Sequence, residues 1–246
     1  MRRCLALALV VACLAVVVAY QVTRPARAAG DPRVFVPSAQ FFEDFSPSFR
    51  TSIADAYYLY MVQYYGEHIE TDQRLDSMAD LVDLVTRLSP RFTKAYQFGT
   101  FALLDADEGA KAYEILQRGV EANPEDWSLP ALTGFLVYGF GEGAAKERIA
   151  AEWYARAAAV EGSPPYVARL AAALTAKGGE KEKAALMWAQ VYADGDKYSR
   201  EKAVAALDEL LPEGQAERME AVAPLAETMP EATFEELLAA LFEDYL

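Results

Sequence analysis

One histidine, two cysteines and a few clusters of acids are the side chains from which catalysis or metal binding would have to be built. His68 stands in YYGEHIE with no second histidine or cysteine near it. A zinc site needs three or four such ligands, and a nucleophile–base relay needs an oriented partner, so a solvated turn histidine is expected. The stretch DADEG places Asp105, Asp107 and Gly109 like the opening of a calcium loop. Its glycine comes one position early and Leu116 stands where the bidentate glutamate belongs, which excludes that loop. In GFGEGAAK, glycines 139, 141 and 143 precede Lys146. No hydroxyl follows the lysine and no strand precedes the glycines, so the stretch reads as an enlarged turn and not a phosphate loop. The acid pairs Glu235-Glu236 and Glu243-Asp244 lie on a short amphipathic terminal helix and read as a solvated face. There is no G-x-S-x-G and no candidate Ser/His/Asp set. No enzyme, cofactor or metal is therefore expected.

What the residues do specify is architecture. Moving 34 residues on from Pro90 brings the chain to Pro124, each proline closing an apolar helix. Met78, Val82 and Val85 are followed 34 later by Ala112, Leu116 and Gly119. The next set, Ala150, Tyr154 and Ala157, comes 38 later, and the fourth, Ala184, Trp188 and Val191, returns to 34. Upstream of each set lies another apolar helix with a small residue near its middle: Gly66, Thr100, Gly134 and Ala172. A fixed period near 34 with two helices per unit signals a helical solenoid, because a short amphipathic pair cannot bury its stripes alone and must stack. Pro90 and Pro124 forbid continuation of a helix and mark unit boundaries.

These units resemble the tetratricopeptide repeat, with KAYQFGTFALLDADEGAKAYEILQRGVEANPED the best match and LAAALTAKGGEKEKAALMWAQVYADGD next. The first unit departs from the pattern at Met78, which replaces a small residue. The third departs most, through Pro130 and four extra residues. The resemblance implies an all-α, right-handed α-solenoid of about four helix pairs over residues 59–196. An extended lead-in and first helix (29–58) would precede it, and helical caps (197–246) would follow. It also implies a groove on the first helix of each pair. That groove would present Tyr60, Gln63 and Glu67, then Lys94, Gln97 and Phe101, then Ser128, Ala131, Phe135 and Tyr138, then Tyr166, Arg169 and Ala173. The repeat is a binding scaffold with many clients, so the implied function is protein–protein interaction.

Ahead of the units, five tyrosines (57, 58, 60, 64 and 65) crowd one helix, with Tyr58 off the inward stripe and Tyr60 at its edge. Core packing is the simplest use. A sticky wall at one end of the groove, or an aromatic pocket for a small molecule or glycan, is the alternative. At the far end ATFEELLAALFEDYL shows a capping box, Thr233 with Glu236, and an apolar stripe of Phe234, Leu237, Leu238, Leu241 and Tyr245.

The first 28 residues are set apart as a targeting segment. Arg2 and Arg3 precede an unbroken apolar run from Cys4 to Tyr20. Cys4 to Thr23, at ~1.5 Å per residue, makes about 30 Å of helix, enough to cross a hydrocarbon core. The length favours an uncleaved anchor. Cleavage after Ala19 or Ala28, or a lipoprotein cut before Cys13, remain alternatives, and all three mean export. This lead followed by helical repeats resembles membrane-anchored bacterial envelope proteins of the tetratricopeptide-repeat type. Residues 1–28 hold four arginines and no acid, so the rest carries 19 basic and 37 acidic residues, a formal charge of −18. Such a body repels nucleic-acid phosphates, and on overall charge its partner is expected to be a basic or neutral polypeptide.

Overall fold

The computed structural model describes residues 14–15 and 35–242. The chain divides into two compact units, Met1–Phe35 and Val36–Leu246. Of the first unit, Leu14 and Ala15 are helical and exposed, and Phe35 is exposed and outside regular secondary structure. Apart from Leu14 and Ala15 the proposed anchor, with both cysteines, lies outside the described residues, as do Glu243, Asp244 and Tyr245.

The second unit is all-helical among its described residues. α1 (Ala39–Phe45) is capped by Ser38, whose hydroxyl accepts the Phe41 N–H. A short 3-10 turn then leads into α2 (Arg50–Ile69). Next come α3 (Met78–Leu88), α4 (Thr93–Asp105), α5 (Gly109–Ala122), α6 (Ser128–Phe140) and α7 (Lys146–Ala158). The series continues with α8 (Pro165–Lys177), α9 (Lys181–Asp194), α10 (Lys197–Leu210), α11 (Gln215–Val222) and α12 (Glu231–Leu241). From α2 to α10 each helix packs chiefly on its neighbours in sequence, an arrangement consistent with an α-solenoid, while α1 packs on α3 and α12 on α10. α2/α3, α4/α5, α6/α7 and α8/α9 form four pairs; the first helix of each is called A and the second B below. α2 is one continuous helix across residue 58.

The 34-residue landmarks are core. Met78, Val82, Val85, Ala112, Leu116, Ala150, Ala157 and Ala184 are fully buried, and Tyr154, Trp188 and Val191 nearly so. Close approach explains the small residues: a Cβ added to Gly134 would meet the Tyr154 ring at 2.8 Å and the Ala150 carbonyl oxygen at 3.2 Å. Gly66 is the exception. It is exposed with open space around it, and the α2 core positions are Ala54, Met61 and Tyr64 instead. Pro130 is accommodated because α6 starts at Ser128. The proline then sits in the first turn, where a missing N–H breaks no intrahelical bond.

The turn inside each pair contains one residue with left-handed backbone: Gln73 (φ 57°), Asp107 (φ 60°), Gly143 (φ 94°) and Gly179 (φ 88°). Asp107 N–H donates to the Leu104 carbonyl (3.0 Å) and Glu108 N–H to Leu103 (2.8 Å). Those two bonds close α4 in a Schellman turn, which is what DADEG builds.

At the C-terminus, Leu237 and Leu241 are buried with Phe234 and Leu238 packed beside them, as the stripe predicts. The expected capping box is absent: α12 begins at Glu231, two residues before Thr233, so Thr233 is inside the helix. Arg218 is buried beneath this cap, donating to Asp208 and to the Leu241 carbonyl (3.4 Å) under the Phe242 ring.

Candidate functional site

Three helices, α4, α6 and α8, project large rings into solvent from residues near their middles and ends. Phe101 is 49% exposed, Phe135 41%, Tyr138 36% and Tyr166 45%. Four exposed rings thus stand on three helices that also carry buried core residues.

The rings are joined across the pairs by a sequence of contacts between one A helix and the next. Tyr65 of α2 donates its hydroxyl to Asp105 of α4 (2.6 Å) and meets Phe98 edge-on at 5.4 Å. Lys94 donates to the Gln97 side chain (3.2 Å), and Gln97 donates to the Ser128 hydroxyl (2.7 Å). Phe101 and Phe135 lie 6.3 Å apart, and Trp127 and Tyr166 meet edge-to-face at 6.3 Å. Lys177 of α8 donates to the Tyr138 hydroxyl of α6 at 3.1 Å. Arg169 reaches forward to α10, donating to Ser199 (2.6 Å) and covering the Tyr198 ring at 5.1 Å.

Within this ladder a cleft of about 380 Å³ is lined by Gln97, Phe101, Trp127, Ala131, Phe135 and Tyr166, among others. Its neighbour, about 700 Å³, adds Lys94 and shares Gln97, Trp127 and Ser128. The structure thus brings together Lys94, Gln97, Phe101, Ser128, Ala131, Phe135 and Tyr166 from the expected groove. Tyr138 and Arg169 lie on the same run of A helices, turned to Lys177 and α10. Tyr60 is half-buried and Gln63 and Glu67 are exposed on α2, away from both clefts. Trp127 and Tyr154 were not anticipated as lining residues. Trp127 sits just before Ser128, and the tilt of its ring toward α8 is a tertiary fact that spacing does not encode.

The tyrosine cluster is closed on itself. Tyr58, expected off the inward stripe, packs on Phe92 at 4.8 Å and Phe98 at 6.2 Å. Tyr57 packs on Phe42 at 5.8 Å, and the Tyr64 hydroxyl both donates to the Arg74 carbonyl and accepts the Ser77 N–H. Burial pushes the Tyr57 hydroxyl above its usual pKa.

The remaining chemical candidates resolve into structure. His68 is more covered than a solvated histidine, with 16% of its side chain exposed. Its ring packs tilted against Tyr64 at 4.4 Å, and Nδ1 lies 2.7 Å from Asp72. That hydrogen bond holds the Asp72 carboxyl below its ordinary pKa. Lys146 of GFGEGAAK stands 5.9 Å over the Tyr138 ring. Glu236 pairs with Arg200 at 3.3 Å. Among the described residues no group of three or more His, Cys, Asp or Glu could hold a metal ion, and no helix is long and apolar enough to cross a membrane. A further cleft, about 780 Å³, lies between α1, α3 and α5, where Asp83 accepts from both Arg87 and Arg118 at 2.7 Å. It contains none of the groove residues.

No family model matches the chain, and no curated protein matches it significantly.

Proposed function

We propose that this protein is a right-handed tetratricopeptide-type solenoid that acts as a non-enzymatic scaffold, holding a polypeptide partner against its A-helix face. The observation that carries the reading is the cleft shared by α4, α6 and α8, where Phe101, Phe135 and Tyr166 stand exposed around the Gln97–Ser128 bond. Rings supply contact area at low entropic cost, and a central amide supplies a hydrogen bond to a main chain. The N-terminal apolar run would tether the scaffold to a membrane with its body exported, a setting suited to assembling an envelope complex or appendage. A small-molecule pocket at Tyr57–Tyr65 is less favoured, since four of those five side chains are committed to packing or hydrogen bonds within the fold.

The test is capture from an envelope extract by immobilised protein, followed by mass spectrometry of what is retained. Phe101→Ala and Phe135→Ala should each weaken retention about thirtyfold, equivalent to ~2 kcal/mol, while the helical circular-dichroism signal stays. Glu235→Lys with Glu236→Lys, on α12, should leave retention intact. The reverse pattern would move the site to the cap.

A further inference from the structure

The charge of the whole body points to a basic or neutral partner, but the charge of the binding face points the other way. The helices α4, α6 and α8 contain three basic residues, Lys94, Arg169 and Lys177, and one acid, Asp105. That acid is already engaged by the Tyr65 hydroxyl. The excess negative charge lies elsewhere, in the loops and above all in the C-terminal segment, where seven glutamates accompany one arginine between Leu211 and Phe242.

The pairing of the cations is more telling than their number. On the B helices five of eight cations meet carboxylates: Arg87 and Arg118 share Asp83, Lys111 meets Glu114, Arg148 meets Glu152 and Lys183 meets Glu180, while Lys146 and Arg156 lie over the Tyr138 and Trp153 rings. On the A face Lys94, Arg169 and Lys177 have no carboxylate of the described residues within ion-pair distance. Each is held by a neutral group instead: the Gln97 amide, the Ser199 hydroxyl and the Tyr138 hydroxyl. Lys202 extends the pattern onto α10, 5.5 Å from the Tyr198 ring that Arg169 covers from its own side. Four acids stand nearby without forming an ion pair: Glu125 and Asp126 in the cleft with Lys94, Asp196 near Arg169 and Glu147 near Lys177, and two of them also serve helix starts. Asp126 accepts from the Ser128 N–H, and Asp196 accepts from the Ser199 N–H.

In a chain with 37 acids and 23 bases, cations that form no direct ion pair are available to a ligand. Screening over about 8 Å at physiological salt makes these local charges, not the distant cap, decide what binds. We infer that the polypeptide taken by this face is acidic, a linear segment carrying side-chain carboxylates beside a bulky apolar residue. The apolar residue enters between Phe101, Phe135 and Tyr166, and the carboxylates reach Arg169 and Lys177. Each contact then gives the cation an anionic acceptor in place of a neutral hydroxyl. The inference rests on the binding face proposed above and reverses the expectation from overall charge.

The experiment is selection of displayed random twelve-residue peptides on the full-length protein, followed by anisotropy titration of those enriched. Acid-rich peptides with one Phe, Leu or Trp are expected, weakening at least tenfold when salt is raised from about 50 to about 500 mM. The double variant Arg169→Glu/Lys177→Glu should weaken them at least tenfold. Lys111→Glu, on a B helix, should not, and circular dichroism checks that each variant folds. Enrichment of neutral or basic peptides that are still lost on Phe101→Ala would overturn the acidic partner and leave the face standing. Acid-rich peptides indifferent to Phe101→Ala and Phe135→Ala would remove the face and the inference with it. No enrichment at all counts against both.

Discussion

Asp107 and Gly179 occupy the same place in two helix pairs. Each has left-handed backbone (φ 60° and 88°), and each is followed by a residue whose N–H reaches five positions back, Glu108 to Leu103 and Glu180 to Thr175. The same closure is built once from glycine and once from a residue whose Cβ resists that conformation. Asp107→Gly should therefore stabilise the protein by about 0.5–1 kcal/mol, the relief of strain being partly offset by a more flexible unfolded chain. A urea midpoint lower than wild type would show that the Asp107 side chain has a further structural use.

Within the second pair, Gly119 of α5 lies against Tyr96 of α4: an added Cβ would stand 2.7 Å from the ring. Tyr96 is buried and donates its hydroxyl to the Thr86 carbonyl at 3.3 Å, so the ring cannot swing aside. Gly119→Ala should cost on the order of 1–3 kcal/mol despite alanine's better helix propensity. Ala112→Leu, at a fully buried landmark, should cost a similar amount, on the order of 1–3 kcal/mol. Unchanged thermal midpoints would mean the helices are further apart than described.

These two sites show what the sequence discloses. The 34-residue step locates buried landmarks because burial forces small or apolar residues at fixed phase, and Pro90 and Pro124 fall just past the ends of α3 and α5. The groove residues are implied by the resemblance to the tetratricopeptide repeat, and seven of them line the two adjoining clefts. Gly66 misleads because the period continues in α2 although nothing crosses there. Tyr58 misleads because its partners, Phe92 and Phe98, arrive from α4 and the turn before it. The cation–ring contacts of Arg169 with Tyr198 on α10 and of Lys177 with Tyr138 on α6 join residues some 30 to 40 positions apart, and which neutral group holds which cation depends on rotamers that no periodicity records.

Asp196 caps α10, and its hydrogen bonds from the Ser199 side chain and backbone N–H hold its carboxyl below the usual pKa. A depressed carboxyl contributes stability that is present above the unfolded-state pKa and lost as pH falls through the folded value. Asp196→Asn keeps an acceptor but removes that titration. The stability advantage of wild type over this variant should shrink between neutral pH and about pH 3, measured as thermal midpoints. An advantage that grows on acidification would contradict the assignment.

For the N-terminal segment the account predicts an intact chain beginning at Met1 in the membrane fraction. Intact-mass measurement decides it. A mature chain starting at Tyr20 or Ala29 would sink the anchor, and a diacylated Cys13 would establish the lipoprotein route.

The most direct test of the binding face is site-specific photo-crosslinking in living cells. A benzophenone amino acid replaces Phe135 on the A face in one strain, and in another it replaces Leu186, which is 40% exposed on the B helix α9. The account predicts a discrete protein adduct from position 135 and none from position 186. An adduct from 186 with none from 135 would contradict it and place the partner on the B helices.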